Sequence, residues 1–124
     1  MPVIIASKTR YTGSVSPTAL NTETTVVDIP PQSDDYLVEG YIDLSTLASG
    51  DQVVVREYIA LDGTNYGTFA TVTYNGPVSD PVVRFHTKAI PNNAKYRVTI
   101  TQTSGVLRSF YYVFILEVLA NVSL

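Results

Sequence analysis

At 124 residues and 13.5 kDa, the chain is long enough to bury one core and too short for two. Charged residues make up 15% of it, against roughly 25% in an average globular protein, while 45% hydrophobic content and a mean hydropathy of +0.14 exclude a disordered polyelectrolyte. Eight basic and eleven acidic residues give a net charge of −3, which offers no field to a phosphate backbone, and zero Cys with a single His exclude disulfide frameworks, thiolate or paired-histidine metal sites and cysteine nucleophiles. No nucleic acid, metal or cofactor is therefore expected, and no catalytic nucleophile and base can be named.

The N-terminus, Met1-Pro2-Val3-Ile4-Ile5-Ala6, is apolar but has no basic region before it. Lys8 and Arg10 follow too soon for a signal-peptide core, so synthesis in the cytoplasm is expected. Residues 1–23 are rich in Ser, Thr and turn formers such as Thr12-Gly13-Ser14 and Ser16-Pro17, which predicts an extended N-terminal arm ahead of a folded domain over residues 24–124. Three aliphatic side chains at the arm's tip, Val3, Ile4 and Ile5, with Tyr11 behind them, are candidates for docking on a neighbouring subunit or shell. The competing reading makes the same segment an edge strand of its own domain.

Thr24 to Ile29 is a β-branched run stopped by Pro30-Pro31, which cannot donate to a ladder. Tyr36 to Leu44 alternates, with Tyr36, Val38, Ile42 and Leu44 on one face and Glu39 and Asp43 on the other. Ser45 to Gly50 has the composition of a single helical turn ended by glycine. Gln52 to Leu61 and Tyr66 to Tyr74 flank Asp62-Gly63-Thr64-Asn65, a strong turn sequence, and are predicted to form a hairpin. Val82 to Lys88 follows Pro81, and Lys95 to Thr103 follows Pro91-Asn92-Asn93, with Tyr96, Val98 and Ile100 on its apolar side. Ser109 to Val118 is apolar on both faces, as a strand covered on both sides would be. Its periodicity is also compatible with a helix, but its β-branched and aromatic residues favour a strand. The apolar stretch from Phe110 to Leu124 is broken by Glu117 and Asn121 and is shorter than the roughly 20 residues a membrane-spanning helix needs. These strands and turns predict an all-β fold, a single antiparallel β-sandwich of jelly-roll-like form.

Three polar groupings have ordinary structural explanations. His86 alternates on a predicted strand and faces outward. Asp62, Thr64 and Asn65 resemble part of a calcium loop, but no bidentate Glu follows, and a hairpin turn demands the same residues. Asp34 and Asp35 are adjacent on an extended loop, so their carboxylates point apart. Tyrosine is the more specific feature, at nine Tyr against four Phe and no Trp. Exposed Tyr supplies interface area or a stacking platform for sugars, with Tyr58, Tyr66 and Tyr74 as the candidate platform. The sparsity of Lys and Glu on the strands suggests that outward faces meet another subunit.

Two stretches carry a likeness: Tyr41-Ile42-Asp43-Leu44-Ser45-Thr46-Leu47-Ala48-Ser49-Gly50-Asp51 leading into a Val-rich strand, and Val98-Thr99-Ile100-Thr101-Gln102-Thr103-Ser104-Gly105 followed by Arg108-Ser109-Phe110. With the hairpin between them they resemble small β-sandwich accessory proteins of viruses and tailed phages that decorate or cement a capsid. The resemblance covers residues 36–118 and carries no diagnostic contact motif. It implies a non-enzymatic virion structural protein, a homo-oligomer (trimer or dimer) bound to a viral capsid or other virion protein and located in the virion. The alternative from another class is a carbohydrate-binding or receptor-binding module using the tyrosines.

Overall fold

Eight antiparallel strands account for the regular structure in a computed structural model that describes residues 3–121. In chain order they are β1 (Val3–Val15), β2 (Thr24–Ile29), β3 (Tyr36–Asp43), β4 (Gln52–Ala60), β5 (Gly67–Asn75), β6 (Val82–Ile90), β7 (Lys95–Ser104) and β8 (Phe110–Asn121). The pairing is nested: β1 with β8, β2 with β7, β3 with β6 and β4 with β5. The chain is thus one long hairpin whose tip is the β4–β5 turn, wound so that alternate rungs fall into opposite sheets. Sheet A has the order β1-β8-β3-β6 and sheet B the order β2-β7-β4-β5, closed internally by the β3–β8 and β4–β7 ladders. That winding is the jelly roll.

The core forms where the alternations of the strands meet. Tyr36, Val38 and Ile42 of β3, Val53 and Val55 of β4, Tyr96, Val98 and Ile100 of β7, and Phe110, Phe114, Leu116 and Val118 of β8 are all buried. Phe114 sits at the centre, its ring 5.2 Å from that of Phe85. It also lies flat against β3 at Gly40, where a Cβ would come within 2.2 Å of the ring, so the packing requires glycine at that point. The two buried tyrosines place their hydroxyls on partners, Tyr36 on the Ala94 carbonyl and Tyr96 on Glu57, as burial of a phenol demands. Glu57 also pairs with Lys88 at 3.0 Å, which ties β4 of one sheet to β6 of the other.

One end of the sandwich is held by a single carboxylate. Asp51, only 3% exposed, accepts the N–H groups of Ala48 at 2.8 Å and Val106 at 2.9 Å and the Arg108 Nε–H at 2.8 Å. These bonds join the β3–β4 and β7–β8 connections.

Three expectations are corrected. Residues 3–15 are not a free arm: they are β1, paired with β8 from Val3 opposite Asn121 to Val15 opposite Phe110. An edge strand whose first eight side chains are all exposed needs no apolar alternation, so its composition looks like that of a tether. Residues 45–50 make two tight turns, closed by Leu47 N–H to Leu44 and Asp51 N–H to Ala48, instead of a helical turn. β8 is covered on one side only: Phe110, Phe114, Leu116 and Val118 enter the core, while Tyr111, Val113, Ile115 and Leu119 lie on the outer face of sheet A.

Candidate association surfaces

The two outer faces differ in kind. On sheet B most polar side chains bond one another, the buried Arg97 Nε excepted. Glu23 accepts hydroxyl hydrogen bonds from Thr99 and Tyr58, and these bonds hold its carboxyl below the usual range. Asp28 accepts from Tyr66 at 2.7 Å and from the Arg97 guanidinium at 3.0 Å, and that guanidinium stacks 3.9 Å from the centroid of the Tyr66 ring. Partial burial, and then the bond to Asp28, push the Tyr66 hydroxyl up. A face so occupied with its own partners is finished as a solvent-facing surface.

On sheet A the outer face carries an apolar stripe with two carboxylates set in it, Glu117 on β8 and Glu39 on β3 opposite Ile115. β8 supplies Tyr111, Val113, Ile115 and Leu119, and β3 sets Leu37 beside Glu117 and Tyr41 beside Val113. Tyr111 is 53% exposed and Tyr41 42%. Charges stand around this stripe, with Lys8 opposite Glu117 and Arg10 opposite Ile115 on β1, and Arg84 opposite Tyr41 on β6. Aliphatic and aromatic side chains among charges of both signs give this face more apolar area than the outer face of sheet B. The hollow on this face, between Leu37, Glu39, Thr87, Ile115 and Glu117, measures about 20 Å³. That is room for about one water and far from a small-molecule site.

The sequence-predicted contact residues divide. Val3, Ile4 and Ile5 remain 48–61% exposed although their backbone is paired, so an apolar tip is presented at the end of β1. Tyr11 turns inward and packs on the core. The tyrosine platform is not assembled: Tyr58 and Tyr66 meet edge to face at 6.4 Å and 84°, and Tyr74, opposite the buried Val53, is on the other side of sheet B. The outer stripe of β8 is visible in sequence as apolarity on both faces, which by itself also fits burial within one chain.

The polar groupings resolve as structure. Asp62 accepts the N–H groups of Thr64 and Asn65 and the Asn65 side-chain amide, which closes the β4–β5 turn and holds its carboxyl down at about 2. Asp35 accepts the Asn92 N–H at 2.9 Å, while Asp34 accepts the N–H of Asp35. His86 is exposed on β6 at a bulge opposite Glu39. Among the described residues no three His, Cys, Asp or Glu side chains come together as a metal site would need. No helix there is long and apolar enough to cross a membrane.

The fold and its surfaces define a class, the eight-stranded jelly-roll sandwich, which is shared by viral capsid and lectin domains. Within that class the chain is similar to the VP2 subviral particle of infectious bursal disease virus, with a TM-score of 0.52 and 14% sequence identity over 90% of this chain. The chain spans 32% of the length of that protein, about a third, and a likeness at this identity is one of fold. The sequence matches no protein-family model and no curated protein.

Proposed function

We propose that this protein is a non-enzymatic structural component of a virus particle, self-associating and attached to the capsid or another virion protein through sheet surfaces and the apolar tip of β1. The observation that carries the reading is β8, apolar on both sides while the chain covers only one. Aliphatic side chains such as Val113 and Ile115 in the middle of a sheet gain stability from a second cover, at roughly 25 cal/mol for each Å² removed from water. The likeness in fold to the VP2 subviral particle supports this reading. The contact mechanism is burial of preformed sheet surface, which costs little ordering because the strands are already fixed.

Light scattering of the purified chain at micromolar concentration tests this. The expected mass is at least twice the 13.5 kDa of one chain. A Val113→Lys, Ile115→Lys double variant is expected to keep its cooperative melt and lose mass. A monomeric parent would overturn the proposal, and a double variant with the parent's mass would overturn the outer face of sheet A as the self-contact.

A further inference from the structure

A jelly roll leaves four strand edges, and in this chain three of them are defended. β1 carries Lys8 and Arg10 and a bulge between Ile5 and Ser7. β6 carries Arg84 and Lys88 and a bulge at His86 and Thr87. β2 has six residues, a bulge at Val26, Asp28 and then Pro30-Pro31. Charge, bulges, proline and shortness are the devices that stop one sheet edge from pairing with another.

β5 has almost none of them. Its sequence, Gly-Thr-Phe-Ala-Thr-Val-Thr-Tyr-Asn, holds no charge and no proline, and its single bulge, at Phe69, leaves Ala70–Asn75 in unbroken register with β4. Seven of its nine residues are exposed, and only Ala70 and Tyr74 are intermediate, so the rest of the chain covers little of the strand. Along the outer edge every second residue turns its N–H and C=O away from β4, and among the described residues no other strand lies there to receive them. Phe69 and Val72, each 47% exposed, and Leu61, 68% exposed, form an apolar lip beside that edge.

We infer that the β5 edge pairs antiparallel with the β5 edge of a second copy of this chain, joining two sheets B into one eight-stranded sheet about a two-fold axis. This deepens the proposed function and rests on its claim of self-association. Charge selects the occupant. Two β1 edges would oppose Lys8 and Arg10 to their copies, and two β6 edges Arg84 and Lys88, whereas two β5 edges bring no charge to the seam.

Parity narrows the register. A two-fold axis normal to the sheet keeps outer faces on one side, so each residue must meet one of the same facing. Val72 lies opposite the buried Val55 and Tyr74 opposite the buried Val53, so both face inward, while Thr71 and Thr73 face outward. Two such pairings centre in the unbroken segment, on Val72 or on Thr73, and the first, which puts an apolar pair on the axis, sets Val72 against Val72 of the second copy, Thr71 against Thr73, and the small Ala70 against the large Tyr74. Val–Val and Thr–Thr pairs are favourable cross-strand neighbours.

The test places charge on the axis. Val72→Lys sets ammonium against ammonium, and Val72→Glu sets carboxylate against carboxylate. Each variant, folded by circular dichroism, is expected to associate about tenfold more weakly or worse than the parent, and an equimolar mixture of the two is expected to recover association as a heterodimer. Because the chain contains no Cys, Val72→Cys supplies a second measurement that tolerates the small side chain, with a self-linked dimer expected on mild oxidation. If the parent is oligomeric while Val72→Lys keeps its mass, or if the Val72→Cys chain does not cross-link, the edge pairing is overturned and the proposed function stands. If Val72→Lys dissociates while the Val113→Lys, Ile115→Lys variant keeps the parent's mass, the edge pairing stands and the outer face of sheet A is not a self-contact. A monomeric parent overturns both.

Discussion

Single residues at the two ends of the sandwich work in opposite ways. Gly63 has φ +80°, and a Cβ there would come 2.7 Å from the Asn93 carbonyl oxygen. Gly63→Val therefore meets both backbone strain and a clash, and is expected to cost on the order of 1 kcal/mol or more, read as a lowered midpoint in urea. Asp51 acts through partners far along the chain. The Ala48 N–H first, then the Val106 N–H and Arg108, hold its carboxyl below the usual range. A carboxyl lowered by folding stabilises the native state above its unfolded pKa and loses that contribution as pH falls through the folded value. Asp62, at about 2 against an ordinary 3.8, behaves alike, so thermal stability is expected to fall as pH drops from about 4 toward 2, and in Asp51→Asn to fall less steeply. A parent melting temperature that is flat across that range would contradict this. The turn was legible because Asp62 and Gly63 act on neighbours. Asp51 was not, because nothing local marks its bonds to Val106 and Arg108, more than fifty residues away.

At the scale of elements, the seven strands after β1 were legible because each carries its own alternation or is ended by its own turn residues. β1 was not, because its pairing is written in β8. The side chains of Val3–Arg10 are exposed, and only from Tyr11 onward does the strand approach the core, with Val15 buried. Removing residues up to Ser7 is thus expected to leave the melting temperature within a few degrees of the parent. Removal through Val15 exposes the β8 edge and the cover of Phe110, and is expected to destabilise strongly, by an amount comparable to the roughly 3–5 kcal/mol of a large core truncation. A calorimetric series of N-terminal deletions checks the contrast, and equal losses for the short and long deletions would refute it. β8 shows the other limit of sequence reading. Apolarity on both sides does not tell whether the chain itself covers both, and here it covers one.

For the whole molecule, the nested pairing sets an order in time. The β4–β5 rung closes over residues 61–66, and each rung outward encloses the last, until β1 reaches β8 across residues 16–109. Loop-closure entropy rises with the logarithm of the enclosed length, so the inner rungs are the least costly to form first and the outer ones follow once the inner ones have shortened the path. Folding dominated by such distant pairings runs on the order of milliseconds to seconds. In stopped-flow experiments Gly63→Val is expected to slow refolding, because its turn belongs to the nucleus, whereas substitutions in β1 are expected chiefly to speed unfolding. Sheet A, with its apolar outer stripe, is completed only when β8 arrives, so until then β3 has no partner on that side, and a chain caught during synthesis presents a half-built sheet to its neighbours.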